Sequence, residues 1–380
     1  MIFADHAATT PVRREALEAM WPYLTGAFGN PSSRHGFGDE AARALARARG
    51  EVAAVVGSRP GDVVFTSGGT EADNLALKGL ALANPRGRHV VVSPVEHEAV
   101  LESADALRRL HGFEVSEVAV DATGMVSPEA LERVIRPDTA LVSVQLANNE
   151  VGTVNPIAEL ARIAHGAGAL MHADAVQAAG WLPLSLDALA VDAMSLAGHK
   201  VGAPKGTGAL VVRGRLPLEP VLHGGGQERG RRSGTENVAG AVAFATALRL
   251  AESERPDAAA RVAALTERFR DLVASSVPDA VPTGHATRRL PGTASYVFPG
   301  TAGEAVLLEL ERRDVVVSSG SACAAGSDEP SHVLTAMGLD PDLARTAVRF
   351  SFGSDAASDD VEFAATALAD AVSAVRAIVR

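Results

Sequence analysis

Lysine is the scarcest charged residue in this chain. Of 35 basic residues only Lys78, Lys200 and Lys205 are lysines, and two of these lie five residues apart in one segment rich in glycine and proline. An arginine guanidinium stays protonated and is a poor nucleophile, whereas a lysine amine can lose its proton and form a Schiff base with a carbonyl. The segment 195–208 therefore suggests amine chemistry, although scarcity alone fits two chance surface lysines equally well.

Cysteine and long apolar runs are also nearly absent. The only cysteine, Cys323, excludes an internal disulfide and suits a reducing compartment, so we expect a cytoplasmic protein. No apolar run reaches the roughly 18 residues that span a bilayer, and the first residues lack the pattern of a signal peptide. The net charge of −11 argues against a nucleic-acid surface, which needs clustered positive charge.

Short apolar runs alternate with helical patterns along most of the chain. This alternation predicts an α/β fold, with a mostly parallel central sheet covered by helices on both faces and ligands at the carboxyl ends of the strands. After a helix predicted at 237–253, the chain reads as a smaller α+β unit. We predict a large domain at 14–255 and a small domain formed by 1–13 with 256–380. Strands are predicted at 62–66, 89–93, 139–145, 169–173, 193–196 and 208–212, and helices at 41–56, 96–110, 128–135, 156–167 and from Thr70.

Two predicted strand ends carry groups suited to a phosphorylated ring. Ser67, Gly68, Gly69 and Thr70 stand where a strand becomes a helix, and their amides and hydroxyls can cradle a phosphate. The alternative is a plain helix cap made by Thr70 and Asp73.

Asp174 ends a second apolar strand, where its carboxylate can pair with the pyridinium nitrogen of a pyridoxal ring, and Gln177 can reach the ring's phenolate oxygen. Here the alternatives are a helix cap or a metal pair with His172. No further cluster of ligands supports a metal, so none is expected.

Four further features remain ambiguous when each is taken alone. His97 and the 148–153 segment follow predicted strands, and each can face a ligand or form only a cap or turn. Arg349 lies in a short apolar run, where its guanidinium can hold a carboxylate or form a surface ion pair. The 223–237 segment combines glycines, arginines and hydroxyls. It would cost much entropy to order without a ligand or a neighbouring subunit, unless it is simply a mobile surface loop.

Cys323 lies among small residues after the apolar run 315–317. Nothing bulky in its sequence neighbourhood can bury the sulfur, so we expect an exposed thiol on a mobile loop. A structural free cysteine is usually buried among apolar side chains, so a functional thiol is the better interpretation.

Taken together, the motifs resemble those of the cysteine desulfurases of the NifS/IscS type, group I, within the class V aminotransferases. The resemblance implies the pyridoxal-phosphate-dependent transferase fold of type I. It runs nearly from end to end and includes residues 5–11, 29–35, 66–74, 96–97, 148–152, 174–177, 198–200, 204–206, 232–237 and 319–323.

The resemblance implies a role for each matching residue. Lys200 would hold pyridoxal 5'-phosphate and move the Cα proton, and His97 would stack on the ring and assist that transfer. Cys323 would take sulfur from L-cysteine as a persulfide, leaving L-alanine, and pass it to an acceptor protein. Thr235 would reach the phosphate from the neighbouring subunit of a homodimer. The other implied cofactor contacts are Gly69, Thr70, Asn149, Asp174, Gln177 and His199, and the implied substrate contacts are Asn149 and Arg349.

Some features depart from the family or leave choices open. Ala197 stands where many relatives have a phosphate-binding serine, and Ala324 and Ala325 replace small polar residues. A selenocysteine lyase or an aminotransferase on the same framework remains an alternative, as does a non-catalytic protein that binds the cofactor. Iron–sulfur cluster assembly, tRNA thiolation and thiocofactor synthesis all use such donors, and the absence of a long tail after the loop leaves docking to an iron–sulfur scaffold open.

Overall fold

The computed structural model describes residues 1–84, 86–319 and 329–379. Its strands are β1 Ile2–Phe3, β2 Val63–Thr66, β3 His89–Val92, β4 Glu114–Glu117, β5 Thr139–Ser143, β6 Leu170–Asp174, β7 Ala193–Ala197, β8 Gly208–Val212, β9 Val281–Thr283, β10 Thr293–Val297, β11 Val315–Val316 and β12 Val348–Ser351. Its α-helices are α1 Arg14–Thr25, α2 Gly36–Val56, α3 Gly69–Ala83, α4 Glu98–His111, α5 Pro128–Val134, α6 Ile157–Gly166, α7 Val238–Ser276, α8 Gly303–Glu311, α9 His332–Ala336, α10 Pro341–Ala344 and α11 Ser358–Val379.

A seven-stranded sheet organises the first two thirds of the chain, in the order β2-β8-β7-β6-β5-β3-β4. Strands β4, β3, β5, β6 and β7 run parallel, and β8 runs antiparallel to both of its neighbours. Strands β5, β7 and β8 are buried along their whole length, as expected for a sheet covered on both faces. The predicted α/β class is therefore confirmed, and the carboxyl ends of the parallel strands gather at one edge.

Two smaller sheets belong to the chain ends. Strand β1 pairs in parallel with β11, and β10 lies between β9 and β12 in an antiparallel sheet. Phe269, Phe350 and Phe352 pack together there, with ring centroids of neighbouring pairs 4.7 Å and 5.2 Å apart. Residues from both ends of the chain, including Ala4, share this apolar cluster.

The predicted strands lie within two residues of those observed, but one helix prediction is wrong. The helix expected to end at Ser253 continues to Ser276 as a 39-residue helix with Pro256 inside it. Proline usually marks a helix end because it lacks an N–H. Here Val262 and Phe269 beyond it are fully buried, and that burial offsets the lost hydrogen bond. The predicted domain boundary at 255/256 therefore falls within α7, and the division stays a prediction.

Among the described helices, none is both long enough and apolar enough to cross a lipid bilayer.

Candidate active site

A cavity of about 310 Å³ opens at the carboxyl edge of the large sheet. Its walls come from residues that follow β2, β3, β5, β6 and β7, together with the amino-terminal segment and β12. The structure brings most of the sequence-predicted site residues to this one cavity. These are Gly69, Thr70, His97, Asn149, Asp174, Gln177, His199, Lys200 and Arg349.

Lys200 enters the cavity from a tight turn directly after β7. Gly198 begins that turn, and a Cβ there would lie 2.1 Å from the Thr207 hydroxyl, so the turn requires glycine. The half-buried Lys200 amine donates to the main-chain oxygens of Ala7 and Ala8, the latter at 2.9 Å. Lys205 is exposed and does not line this cavity, so the alternative of a surface lysine fits Lys205 but not Lys200.

Asp174 is the last residue of β6 and is only 8% exposed. Burial raises the pKa of its carboxyl, and a hydrogen bond of 2.8 Å from the Val176 amide, with the nearby His97 and Lys200, offsets part of this rise. A buried carboxylate at this point can pair with a cationic ring nitrogen. The described chain forms a turn and no helix between β6 and β7, so the alternative of a helix cap is wrong.

The phosphate-cradle prediction also has a structural basis. Helix α3 begins at Gly69, and its N-cap Gly68 has φ = 155° and no side-chain cap. The alternative of a cap by Thr70 and Asp73 is therefore wrong. A Cβ on Gly69 would lie 2.8 Å from a Val176 methyl group, so only glycine fits the wall. The first amides of α3 have no partners within the helix and are available for an anion.

His199 lies beside this cradle. Its Nδ1 is 3.3 Å from the Thr9 hydroxyl. Burial, with the nearby charges of Lys200 and Lys205, lowers the pKa of His199 to about 4. The ring is therefore neutral near pH 7, and its N–H can serve as a hydrogen-bond donor.

Two acidic residues that sequence reasoning did not assign to the site lie at or beside the cavity. Asp73 and Glu96 are 2% and 0% exposed, and Asp73 Oδ1 and Glu96 Oε2 have no hydrogen-bond partner. Burial raises the pKa of each well above its ordinary value, and the charge of Asp174 adds to the rise. Folding therefore favours the protonated form of both carboxyls next to Asp174. The sequence contained no signal for this, because a Thr-Glu-Ala-Asp-Asn run also fits an ordinary helix start.

His172 lies beneath Asp174 within a row of polar groups. Its ring nitrogens contact the hydroxyls of Ser143 at 2.8 Å and Ser195 at 3.0 Å, and burial lowers its pKa to about 3. With both nitrogens engaged, His172 does not form the metal pair weighed as an alternative. No group of three or more potential ligands for a metal ion exists among the residues the structure describes.

Arg349 and His97 settle two other ambiguities. Arg349 is 2% exposed, donates to Asp5 at 2.7 Å and to the Asn149 main-chain oxygen at 2.8 Å, and leaves its Nε without a partner. The alternative of a partly exposed strand arginine is therefore wrong. His97 caps α4 by accepting from the Ala99 amide at 3.0 Å and also lines the cavity, so the capping and site interpretations hold together.

Gln177 approaches the same cavity from the turn after β6. Its amide nitrogen donates to the main-chain oxygen of Ala7 at 2.9 Å, so the amino-terminal segment contacts both Gln177 and Lys200.

Among the described residues, one predicted site residue does not line this cavity. Thr235 is exposed and lines a separate cavity of about 250 Å³ beside Ser67 and Arg232, apart from Lys200. Its segment is held by ion pairs within the chain, so the alternative of a freely mobile loop is not needed. Cys323, with its expected exposure, lies outside the described residues.

Comparisons with known proteins place this geometry in a family. Residues 2–363 match the model of the family described as aminotransferase class-V, and the chain belongs to that family. A cysteine desulfurase IscS from Dictyoglomus turgidum is 42% identical over 378 residues, covering 99% of this chain and 96% of that protein. Within the family, the chain is a cysteine desulfurase of the NifS/IscS type, an enzyme that depends on pyridoxal 5'-phosphate.

Solved structures agree with this assignment. A NifS-like protein superposes with a TM-score of 0.91 at 37% identity, covering 98% of this chain and 99% of that one. A protein named SspA, solved in complex with cysteine, superposes with a TM-score of 0.81 at 35% identity, covering 93% of this chain and 99% of that one. The fold-type prediction and the family resemblance are both confirmed.

Proposed function

We propose that this enzyme removes sulfur from L-cysteine, holds it as a persulfide on Cys323, releases L-alanine and passes the sulfur to an acceptor protein. The carbon–sulfur bond of the substrate breaks and a sulfur–sulfur bond forms on the enzyme, so atoms and electrons balance without an outside oxidant. The observation that carries the proposal is the convergence of an amine, a buried carboxylate and a buried arginine on one cavity.

The residues at the cavity fit pyridoxal 5'-phosphate. Gly69, Thr70 and His199 would hold the phosphate, because free helix amides and a neutral imidazole suit an anion. Asp174 would pair with the ring nitrogen and Gln177 would contact the ring oxygen. When bound, the cofactor supplies an electron sink for the Cα carbanion of the substrate.

Substrate positioning falls to Arg349 and Asn149. The unpartnered Nε of Arg349 is a buried donor, and a buried donor without an acceptor is costly unless a ligand supplies one. A substrate carboxylate would satisfy it. Lys200 would then move the Cα proton, with His97 on the cavity wall assisting that transfer.

A homodimer would complete the site. Apolar side chains are exposed on α1, on the segment that follows it and at the start of α2. They include Trp21, Phe28 and Phe37, at 64%, 67% and 55%. Such a patch favours an interface with a second copy. In that assembly Thr235, which lines a different cavity from Lys200 in its own chain, would reach the phosphate of its neighbour. We also propose a cytoplasmic enzyme, divided at 14–255 and at 1–13 with 256–380, serving iron–sulfur cluster assembly or thiolation of tRNA and cofactors.

The test is a single-turnover reaction of the holoenzyme with L-cysteine. Without reductant, we expect L-alanine and a gain in mass of one sulfur atom at Cys323. With reductant, sulfide and alanine should form in equal amounts. A Cys323→Ser variant should still bind the cofactor but lose sulfide release. Full sulfide release by that variant would contradict the persulfide, and transamination without alanine would favour an aminotransferase.

A further inference from the structure

The segment that carries Thr235 is fastened to the edge of the large sheet. Strand β2 is an edge strand, and side chains engage two of its main-chain groups. The Phe65 amide donates to Glu228 at 3.3 Å, and the Val63 oxygen accepts from Arg49 and Arg229, each at 2.6 Å. These contacts occupy polar groups that would otherwise stay open to pairing with another strand.

At the centre of this fastening is a buried ion pair. Both guanidinium Nη atoms of Arg49 donate to Glu228, at 2.7 Å and 2.8 Å, and the two side chains are 12% and 2% exposed. Arg49 also lies 4.9 Å from the centroid of the Phe65 ring. Burying two charges costs desolvation, so the pair is weak evidence for stability. The two parallel hydrogen bonds instead fix the orientation of the Glu228 side chain relative to Arg49.

The backbone at this point is strained. Glu228 and Arg229 are consecutive and have φ values of 49° and 61°. These values lie in the left-handed region, which residues other than glycine rarely adopt. Such strain persists where the surrounding contacts over-determine the conformation. Here the contacts are the ion pair with Arg49 and the bond from Arg229 to β2.

Two further contacts hold the chain between Arg229 and Thr235. Arg232 pairs with Glu71 at 2.8 Å, and the Gly234 amide donates to the Gln227 side chain at 2.9 Å. Glu71 also accepts from the Ser67 amide at 2.8 Å, so the same brace touches the start of the phosphate cradle. These contacts therefore fix the course of the chain from Glu228 to the exposed Thr235.

We propose that Glu228, through Arg49, is a positioning residue that aims Thr235 at the cofactor phosphate of the neighbouring subunit. This rests on the proposed function, in which Thr235 acts across a homodimer. Glu228 touches neither cofactor nor substrate. Its effect is on how long the neighbouring subunit retains its cofactor.

A competing explanation acts within one subunit. Strand β2 leads through Ser67 into the cradle at Gly69 and Thr70, so Glu228 could support only the cradle of its own chain. The two explanations predict opposite results when a defective Glu228 is placed in only one subunit of a dimer.

The first measurement is the rate at which holoenzyme loses pyridoxal phosphate to a scavenger. We expect Glu228→Gln to lose it about tenfold faster than wild type, as expected when a hydrogen bond to a charged group is lost. Arg49→Lys keeps the charge but not the two-point contact and should give an intermediate rate. Glu362→Gln, which removes an exposed ion pair with Arg268, is the matched control and should change nothing. Wild-type rates in both Glu228→Gln and Arg49→Lys would overturn the proposal.

The second measurement uses mixed dimers, isolated through two different affinity tags. One subunit carries Glu228→Gln and the other carries Lys200→Ala, so only the first can hold the cofactor covalently. That subunit receives Thr235 from a neighbour whose Glu228 is intact. We expect the wild-type loss rate from this site, and a rate as fast as in the Glu228→Gln homodimer would overturn the proposal. If Glu228→Gln does not fold, Arg49→Lys takes its place in the mixed dimer.

Different results would contradict the proposed function itself. A wild-type protein that binds no pyridoxal phosphate, or releases no sulfur from L-cysteine, would remove the premise before any variant is compared. A monomeric holoenzyme would overturn the positioning role while leaving the chemistry at Lys200 intact.

Discussion

The cavity wall at the strand ends and the 223–237 segment are held in place by different means. Asp174, His199 and Lys200 follow buried strands within a few residues, so the main chain of the sheet fixes them. The 223–237 segment has no strand of its own and is fixed by side-chain ion pairs to Arg49 and Glu71. The candidate catalytic and cofactor-binding residues thus follow rigid strands. The position of the 223–237 segment, which would contact a neighbouring subunit, depends on ion pairs.

This difference predicts unequal effects of mutation. A change at the strand-end wall alters the reacting groups and should affect turnover. A change in the fastening of 223–237 should affect cofactor retention first. Variants in the two regions should separate these effects, and the largest effect is expected at Lys200.

Among these variants, Lys200→Arg should reduce turnover most. The variant keeps a positive charge but loses an amine that can deprotonate, so alanine release from L-cysteine should fall by about a thousandfold or more. Lys205→Arg is the control, since Lys205 is exposed in the same loop and should keep wild-type turnover. Similar losses in both variants would show that the loop needs lysine for its fold rather than for amine chemistry.

Asp73→Asn tests the buried carboxyl beside Asp174. The folded protein holds this carboxyl protonated above its ordinary pKa of 3.8, so the wild type loses stability as pH rises from that value toward the raised pKa. An amide has no proton to lose there. The variant without cofactor should therefore gain stability over wild type as pH rises, with a melting temperature higher by about 1–3 °C at neutral pH.

Thermal unfolding of both proteins across a pH series provides the measurement. Comparing them at each pH cancels the contribution of His199, whose lowered pKa costs stability in both proteins as pH falls. Parallel curves at all pH values would mean that Asp73 is not held neutral.

Arg232→Met tests the second brace of 223–237. The Arg232–Glu71 pair is partly exposed, so cofactor loss should be only about fivefold faster, with turnover at saturating cofactor unchanged. Arg268→Met removes a more exposed pair elsewhere and should leave the loss rate at the wild-type value. A fall in turnover without faster cofactor loss would contradict the division between the two regions.

Ala197→Ser should have the smallest effect. Ala197 ends β7, is buried and lines the cavity near Gly69, so a serine hydroxyl there can donate to the phosphate. One added neutral hydrogen bond should slow cofactor loss by about twofold. Equal loss on dialysis would show that the hydroxyl does not reach the phosphate.

The strand-end wall was predictable because it follows a local rule. An apolar run that stops at Asp174, or at Gly198, His199 and Lys200, locates a polar group at the edge where parallel strands end. No such rule reaches Asp73, because its burial depends on α3 packing over a sheet whose strands come from elsewhere in the chain.

The fastening of 223–237 was also beyond sequence reasoning. Arg49 and Glu228 are 179 positions apart, and nothing local marks either as a partner of the other. The entropy argument pointed to a ligand or neighbour that orders the segment, whereas the chain supplies its own anchors. The length of α7 was missed for a related reason, since the burial that sustains it past Pro256 is tertiary.

Helix α7 has a practical consequence for anyone producing parts of this protein. Phe244 near its start is buried in the apolar core of the large sheet, and Phe269 near its end is buried among the aromatic side chains of the carboxyl-terminal region. A fragment cut near residue 255 would sever this continuous helix and would separate β1 and Ala4 from β11 and the carboxyl-terminal apolar cluster that they complete. Separate expression of the two halves should therefore give aggregates, whereas co-expression should allow the pieces to reassemble.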